Sequence, residues 1–264
     1  MKFKNVLLAS DFDGTLADSS GKIPENVISA IKYFMSEGGL FTVCTGRIFQ
    51  GFHLYSEVYI NAPVLLGNGA MAYDYKNKNV IFNDAIGDEG IPAVEDILSD
   101  FPGVAVETYN FGTVCSINAC EDSIHHFTSQ GINFTRISDP NEAPRPWTKV
   151  MVYAHGCSSD VQRLLDGHGE VNYLRTTGDY IEILKKGVDK GTGLLKLGEM
   201  LGCEVKNIYA AGDGYNDVDM LKAAAKGFVP ENGSPEALSV ADFVTRSNDM
   251  GCIAHAIEIL DSIY

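Results

Sequence analysis

Two short acidic clusters of the sequence combine carboxylates with glycine directly after an apolar segment. Asp11 and Asp13 form the first cluster, and Asp213 and Asp217 belong to the second. An acidic turn would explain either cluster alone, because Asp and Gly are ordinary loop residues. If the clusters converge, each pair of like charges ~4 Å apart would repel by about 4 kcal/mol at an effective dielectric of ~20, so a cation must lie among them.

The ligand types in these clusters indicate which cation to expect. Carboxylate and carbonyl oxygens without a nearby His or Cys favour a hard ion. Mg²⁺ characteristically keeps water ligands and shares its coordination sphere with a substrate phosphate. Neither cluster has the spacing of an EF-hand calcium loop. The sequence therefore predicts a Mg²⁺ site that works on a phosphorylated ligand.

Three further short segments offer groups that could bind an anion. Thr45 and Gly46 precede a predicted helix, where a hydroxyl, backbone N–H groups and the helix N-terminus would cradle an anion. An N-cap followed by a solvated Arg47 is the alternative. Lys190 begins another predicted helix, which is an unfavourable position for a cation and therefore suggests a function. The dipeptide Asn68-Gly69 follows a predicted strand, either as loop punctuation or as a ligand contact.

The segments that carry these groups alternate between strand and helix signals. Short apolar runs predict buried parallel strands, and apolar stripes at helical spacing predict helices. Strands are predicted at Val6–Ser10, Leu40–Cys44, Pro63–Leu66 and Asn207–Ala211, and helices after Pro24 and at Ile48–Tyr59, Lys190–Leu201, Asp217–Ala225 and Ile253–Leu260. Repeated strand–helix–strand units imply an α/β fold with a doubly wound, Rossmann-like parallel sheet, whose carboxyl edge binds ligands.

The middle of the chain has a different pattern. From about Tyr73 to Lys186, strand signals outnumber helix signals and often adjoin, which favours an antiparallel sheet in a separate α+β unit. Its strands are predicted at Val104–Thr108, Thr113–Ile117, Ile132–Ile137, Lys149–Tyr153, Val171–Thr176 and Tyr180–Leu184, and its Pro-rich loop at Asp139–Trp147. We therefore expect residues 1–82 and 187–264 to form the core domain and residues 83–186 to form the inserted α+β domain.

Composition and charge exclude several classes of protein. The 20 Lys+Arg and 35 Asp+Glu residues give a net charge of −15 without any basic run, so no nucleic-acid binding is expected. No apolar segment approaches the ~20 residues that cross a bilayer, and none is typical of a signal peptide. We expect a cytoplasmic protein without a membrane partner. The six cysteines form no Cys-x-x-Cys pair and are expected to be buried free thiols.

In chain order, the polar segments resemble the four motifs of a known family, the haloacid-dehalogenase-like (HAD) phosphatases. The segments are Asp11-Phe-Asp-Gly-Thr15, Thr45-Gly46-Arg47, Lys190 and Gly212-Asp-Gly-Tyr-Asn-Asp217. The loop Asn68-Gly69-Ala70 and the large insertion are similar to those of the Cof-like branch, type IIB. One departure is the pair Pro230-Glu231 before Asn232, where the family commonly has a small apolar run. The resemblance implies a HAD core with an inserted α+β cap domain.

The resemblance also implies a reaction at the first motif. Asp11 would attack phosphorus and form an aspartyl-phosphate, which divides a very slow hydrolysis into two steps. Asp13 would protonate the leaving oxygen and then deprotonate the attacking water. Mg²⁺ would be bound by Asp11, by the backbone carbonyl of Asp13 and by Asp213, and would reduce the repulsion between carboxylate and phosphate.

The remaining motif residues are assigned supporting roles by the same resemblance. Thr45, the N–H of Gly46 and Lys190 would hold the phosphoryl oxygens while charge redistributes in the transition state. Asn216 and Asp217 would orient metal-bound waters and Lys190. These expectations place the whole reaction in the core domain.

The cap is expected to be mobile, to close over the site and to select the leaving group. Candidate contacts of the leaving group are Arg47, Asn68, Gly69, Arg145, Trp147 and Lys149, although solvated loop charges would also explain the last three. His125 and His126 are interpreted as surface or core residues. The expected partner is a small phosphorylated metabolite, with a sugar phosphate first and nucleotide, flavin or pyridoxal phosphates next. The sequence indicates no oligomeric state.

Two other functions compete with a phosphatase. A sugar-phosphate mutase of the same superfamily would also use two Asp residues in the first motif. A non-catalytic protein that binds a phosphorylated metabolite is the alternative from another class, but it would not need both a nucleophile and an acid. A dehalogenase is disfavoured because such enzymes characteristically lack the partner carboxylate at the position of Asp13.

Overall fold

The computed structural model describes residues 1–52, 59–175 and 178–264. The strands, in chain order, are β1 (Leu7–Ser10), β2 (Leu40–Val43), β3 (Val64–Leu66), β4 (Met71–Asp74), β5 (Asn79–Asn83), β6 (Ala105–Tyr109), β7 (Val114–Ile117), β8 (Thr135–Arg136), β9 (Lys149–Tyr153), β10 (Val171–Arg175), β11 (Tyr180–Lys185), β12 (Ile208–Ala211), β13 (Lys226–Pro230) and β14 (Phe243–Thr245). The helices are α1 (Glu25–Ser36), α2 (Phe49–Phe52), α3 (Ile91–Asp100), α4 (Glu121–Ser129), α5 (Ser158–Leu165), α6 (Lys190–Met200), α7 (Val218–Ala223), α8 (Pro235–Leu238) and α9 (Cys252–Ile263).

The chain divides into two compact units. The first comprises Met1–Gly46, Glu57–Phe82 and Asp189–Tyr264, and the second comprises Arg47–Ser56 and Asn83–Val188. Within the described residues, no helix is both long and apolar enough to cross a membrane. All six cysteines are free, and four of them are buried.

The first unit is built on a parallel five-stranded sheet in the order β14-β13-β12-β1-β2. Strands β1 and β12 are buried along their whole length, because their short apolar runs lie in the middle of the sheet. Ser10 lies opposite Ala211 in this register. The residues that follow β1 and β12 therefore meet at one edge of the sheet. This arrangement confirms the predicted α/β core.

The second unit is built on a six-stranded sheet in the order β10-β11-β9-β6-β7-β8, which is antiparallel except at the β7–β8 pair. Because side chains alternate along a strand, its two faces have different cores. Val106 and Val152 belong to the cluster that also includes residues of α3 and α5. Tyr109 and Met151 belong to a smaller cluster with Phe127 of α4. The second unit is thus an α+β layer with a core of its own.

The segment after Gly46 differs from the expected organisation, since the structure assigns Arg47–Ser56 to the second unit. Ile48 packs in the cluster of Tyr109 and Phe127. The side-chain amide of Gln50 donates to the backbone carbonyls of Asn110 and Phe111, each at 3.1 Å. The helix predicted at Ile48–Tyr59 is present as α2, and residues 53–58 lie outside the described residues.

Two other elements of the second unit are shorter or more ordered than expected. The strand predicted at Ile132–Ile137 is reduced to the two residues of β8. The loop Asp139–Trp147 contains a 3₁₀ turn at Pro140–Glu142, and Trp147 exchanges backbone hydrogen bonds with Ile86 at 2.7 and 2.8 Å. Trp147 is fully buried, so its indole serves the core of this unit.

Candidate active site

The carboxyl edge of the parallel sheet brings the two acidic clusters together. The N–H of Asp11 donates to the carbonyl of Ala211 at 2.8 Å, which continues the β1–β12 ladder by one residue. Asp213 follows two residues after Ala211 and accepts a hydrogen bond of 2.6 Å from the hydroxyl of Thr15. Carboxylate oxygens of Asp11, Asp213 and Asp217 lie within 4.8 Å of one another. The two halves of this site are therefore adjacent although they are about 200 residues apart in sequence.

Lys190 lies within this acidic group and is completely buried. Its ammonium Nζ donates to Asp11 Oδ1 at 2.8 Å and to Asp217 Oδ1 at 2.6 Å. The helix start that presents Lys190 is fixed by a capping box, in which the Asp189 carboxylate accepts from the N–H of Thr192 at 2.7 Å and the Thr192 hydroxyl accepts from the N–H of Asp189 at 3.0 Å. The capping box therefore fixes the first turn of α6, which carries Lys190.

Asp217 is the most fully bonded carboxylate of the group. Its Oδ2 accepts from the N–H of Asp213 at 3.0 Å and from the N–H of Gly214 at 2.8 Å, while its Oδ1 accepts from Lys190. These contacts fix the loop after β12 and leave Asp217 little freedom to reorient. Asp217 thus connects the lysine to the backbone that carries Asp213.

The charges of the site shift the pKa values of its members. Burial raises the pKa of Asp11 to about 8, repulsion from Asp217 adds to the shift, and Lys190 partly opposes it. Burial also raises the pKa of Asp213. For Lys190, burial would lower the pKa, but attraction by Asp11 and Asp217 outweighs it and the pKa is raised. The lysine therefore stays charged, and the raised pKa values of Asp11 and Asp213 indicate that a further positive charge beside them would be stabilising.

The donor set fits the expected Mg²⁺. Three carboxylates face a single lysine, so the group retains negative charge after the ion pairs are formed. The three converging side chains offer carboxylate oxygens, which suit a hard cation. Asp13 is exposed on the turn Phe12–Leu16, and its carboxylate is not part of the converging group. The third converging carboxylate is that of Asp217, which was expected as a ligand or an orienting residue.

In the same unit, the loop after β2 contacts the loop after β3. Thr45 is buried after β2, and its carbonyl accepts from the N–H of Asn68 at 3.0 Å. The amide of Asn216 donates to Asn68 Oδ1 at 3.0 Å. Gly69 has φ of +88°, and a Cβ there would collide with the backbone carbonyl of Asp189. Only glycine lets this loop pass so close to the start of α6.

The structure thus brings together most of the core residues that the motifs predicted. Asn68 contacts Asn216, Gly69 approaches Asp189, and Gly46 lies beside Asn68, since a Cβ on Gly46 would be 3.1 Å from Asn68 Oδ1. Thr15 was not among the predicted site residues, yet its hydroxyl binds Asp213. The sequence could have indicated Thr15 as a site residue, because it belongs to the same motif segment as Asp11.

The remaining predicted residues belong to the second unit. Arg47 is half-buried. Arg145 pairs with Asp88, with 2.7 Å between Nε and Oδ1. Lys149 begins β9 as predicted, is 4% exposed and lies 3.1 Å from Glu182 Oε2. A solvated loop charge therefore does not describe Lys149.

The two neighbouring histidines of the second unit lie on α4, as expected. His126 Nδ1 is 3.2 Å from Glu107 Oε2, and the Gln130 amide lies 2.7 Å from His126 Nε2. Both ring nitrogens of His126 therefore have partners within the unit. Together with the exposed His125, this agrees with the interpretation of both histidines as surface or core residues.

Comparison with known proteins agrees with the site. The chain belongs to the haloacid dehalogenase-like hydrolases, whose family pattern it matches over residues 8–257, and within them to the Cof-like branch. It is 26% identical to the putative phosphatase YxeH of Bacillus subtilis, covering 96% of this chain and 97% of that protein. It is also 26% identical to the 5-amino-6-(5-phospho-D-ribitylamino)uracil phosphatase YitU of Bacillus subtilis, covering 98% of each.

A solved structure of a HAD phosphatase, BT1666 from Bacteroides thetaiotaomicron, has the same fold. It superposes with a TM-score of 0.86 at 24% identity, covering 98% of this chain and 96% of that one. Its membership in the haloacid dehalogenase-like hydrolases makes the chain an enzyme of the hydrolase class.

Proposed function

We propose that this protein is a Mg²⁺-dependent phosphatase that hydrolyses a small phosphate monoester through an aspartyl-phosphate on Asp11. The observation that carries the proposal is the buried group of Asp11, Asp213 and Asp217 around Lys190, in which one cation faces three carboxylates. The names of related proteins, which are phosphatases, support the same reaction class.

In the proposed first step, a carboxylate oxygen of Asp11 attacks phosphorus and the bond from phosphorus to the ester oxygen breaks. Asp13 gives its proton to the departing oxygen, so the leaving group departs as an alcohol. In the second step, Asp13 takes a proton from water, the water oxygen bonds to phosphorus, and the bond between phosphorus and Asp11 breaks. Asp11 is then free and inorganic phosphate is released.

The other residues hold the reacting groups. Lys190, the hydroxyl of Thr45 and the N–H of Gly46 would bind the phosphoryl oxygens. Asp11, Asp213 and the backbone carbonyl of Asp13 would bind Mg²⁺, with Asn216 and Asp217 next to it. When bound, Mg²⁺ would offset the repulsion between the phosphate and the Asp11 carboxylate.

For the leaving group we propose a sugar phosphate first, then a nucleotide, flavin or pyridoxal phosphate. YitU is named for a substrate that carries a phosphorylated ribityl chain, which supports a polyhydroxylated leaving group. Arg47, Asn68, Gly69, Arg145 and Lys149 remain the predicted selectors of that group. A cytoplasmic location also remains a prediction.

The test is phosphate release from a panel of monoesters, measured with Mg²⁺ and after chelation. The panel contains hexose 1- and 6-phosphates, a nucleoside monophosphate, flavin mononucleotide, pyridoxal phosphate and p-nitrophenyl phosphate. Release that requires Mg²⁺ supports the proposal, and its rates rank the leaving groups. Absence of release from every ester contradicts it.

The same samples separate the two competing functions. With hexose 1-phosphate, a mutase would produce the 6-phosphate without free phosphate. A protein that only binds its ligand would neither release phosphate nor isomerise the ester, while its melting temperature would rise with the ligand.

A further inference from the structure

The turn that carries Asp13 has an irregular backbone. Asp13 (φ −79°, ψ 123°) and Gly14 (φ +79°, ψ −5°) depart from helical values within Phe12–Leu16. A turn of this kind leaves carbonyl groups without the regular helical partner, and they need other donors. The orientation of each peptide in this turn therefore depends on contacts from elsewhere in the unit.

Two asparagines supply those donors. The amide of Asn232 donates to the carbonyl of Gly14 at 3.0 Å. The amide of Asn248 donates to the carbonyl of Ala17 at 2.9 Å, and Asn248 is only 7% exposed. The two side chains are connected, because Asn232 Oδ1 accepts from the N–H of Asn248 at 2.9 Å.

The segment that follows the turn is held from the same side. Asp249 accepts from the N–H of Ser19 at 2.7 Å and from its hydroxyl at 2.9 Å. Within the turn itself, the hydroxyl of Thr15 donates to Asp213. The backbone from Gly14 to Ser19 is thus held at four points, by loops that follow β12, β13 and β14.

The local structure explains how Asn232 reaches the turn despite the departure at Pro230-Glu231. Pro230 is the last residue of β13, where its missing N–H costs the strand little. The N–H of Gly233 donates to the carbonyl of Pro230 at 2.8 Å and closes a tight turn. The N–H of Glu231 donates to the carbonyl of Thr245 at 3.1 Å, which ties this turn to the end of β14. Asn232 lies in the middle of the turn.

We infer that Asn232 and Asn248, the asparagine clamp, are positioning residues that hold the Asp13 turn in its reactive conformation. The clamp acts on the carbonyls of Gly14 and Ala17, and through them it fixes the direction of the Asp13 side chain and of its backbone carbonyl. This role rests on the proposed function. It differs from the metal and phosphate contacts of the motif residues, since neither asparagine is assigned to touch a reacting atom.

The test compares Asn232→Ala and Asn248→Ala with a matched control, Asn61→Ala. Asn61 also connects two backbone groups, accepting from the N–H of Phe41 at 2.8 Å and donating to the carbonyl of Gly39 at 2.9 Å, but it contacts no part of the turn. For the clamp variants we expect kcat to fall by about 10- to 100-fold with KM changed little, because small misplacements of reacting groups have effects of this size. Asn61→Ala should keep the wild-type kcat.

A conservative variant separates the two bonds of Asn232. Asn232→Asp keeps the oxygen that accepts from Asn248 but loses the donor to Gly14. We expect Asn232→Asp to lose activity as Asn232→Ala does, whereas a merely structural role for Asn232 would leave most of the kcat intact in the Asp variant.

A second readout is independent of turnover. Amide hydrogen exchange of the peptide that spans residues 12–17 should be faster in both clamp variants than in wild type and unchanged in Asn61→Ala. Unaltered exchange, or a kcat loss of equal size in the control, would overturn the inference. If the wild-type protein releases no phosphate at all, the proposed function fails while the exchange measurement still decides whether the clamp holds the turn.

Discussion

Each unit of the protein buries one lysine beside carboxylates, and the two lysines have different surroundings. In the first unit, Lys190 contacts Asp11 and Asp217, and Asp213 is a third carboxylate of the same group. In the second unit, Lys149 lies 3.1 Å from Glu182 and 5.4 Å from the centre of the Tyr109 ring. The first lysine lies among three carboxylates, whereas the second forms a matched ion pair with Glu182.

The difference shows how a buried charge indicates function. A matched pair can be maintained by its own attraction and by hydrogen bonds, and nothing further has to bind. An excess of carboxylates remains destabilised by desolvation and by mutual repulsion. These two effects raise the pKa of Asp11 to about 8. The three carboxylates around Lys190, the unmatched group, are therefore where a cation would be stabilised and where we propose that Mg²⁺ binds.

The comparison is tested most strongly by removing each lysine. Lys190→Met and Lys149→Met should each lower the free energy of unfolding by about 3–5 kcal/mol, because each leaves buried carboxylate charge uncompensated. Mg²⁺ should restore part of the loss in Lys190→Met, since the acidic group there can bind it. Denaturant unfolding with and without Mg²⁺ measures both effects. Equal recovery in Lys149→Met would show that the two sites do not differ in this way.

Two glycines with positive φ offer a smaller contrast between the units. Gly69→Ala should cost about 2–5 kcal/mol, because it adds a collision with the Asp189 carbonyl to the strain of a left-handed backbone. Gly156→Ala, at φ of +74° with open space around it, should cost only about 1–2 kcal/mol. Thermal unfolding of both variants measures the difference, and similar losses would argue against a tight loop at Gly69.

The pH dependence of stability should expose the unmatched group. The folded-state pKa of Asp11, about 8, exceeds the ~3.9 of an unfolded aspartate, so between these pH values the folded protein holds a proton that the unfolded chain has lost. Without metal, the free energy of unfolding should therefore fall by about 1.4 kcal/mol per pH unit as the pH rises through this window.

Two controls identify the source of that slope. Saturating Mg²⁺ should flatten it, because the metal binds the ionised carboxylate. Asp11→Asn should remove it even without metal. Denaturant titrations between pH 5 and pH 9 measure all three samples, and a slope that persists in Asp11→Asn would assign the proton to another group.

The smallest effect is expected when both members of the matched pair are replaced. Lys149→Met combined with Glu182→Leu should be within about 1 kcal/mol of wild type, since two apolar side chains can replace a buried ion pair without leaving a lone charge. The expected recovery relative to Lys149→Met alone is measured by a double-mutant cycle. A double variant no more stable than the single one would mean that other contacts of these residues dominate.

Much of the first unit could be predicted from local sequence. The short apolar runs before Asp11 and Asp213 were predicted as buried parallel strands, because burial is encoded within each run. The sequence raised the convergence of the two acidic clusters as a condition, and the pairing of β1 with β12 fulfils it. Local patterns placed Asp13 and Asp217 in the two clusters alike; they could not tell that the Asp217 carboxylate joins the converging group while the Asp13 carboxylate does not, since this depends on the turns after β1 and β12.

The second unit was less predictable for a related reason. Ile48 and Gln50 follow a motif of the first unit in sequence, yet they pack with Tyr109 and Asn110. Only contacts between distant segments decide this. The strand at Lys149–Tyr153 was predicted from its local pattern, but the ion pair of Lys149 was not, because Glu182 lies on a neighbouring strand that is distant in sequence.

The central claim is that Asp11 is the nucleophile of a Mg²⁺-dependent phosphatase. The most direct test is the rate of phosphate release at saturating Mg²⁺ by wild type, Asp11→Asn and Asp261→Asn. Asp261 is the matched control, because it accepts from Lys2 Nζ at 2.9 Å as Asp11 accepts from Lys190 at 2.8 Å, but on the surface. We predict a loss of at least ~10³-fold for Asp11→Asn and the wild-type rate for Asp261→Asn. Turnover by Asp11→Asn close to that of wild type would contradict the account.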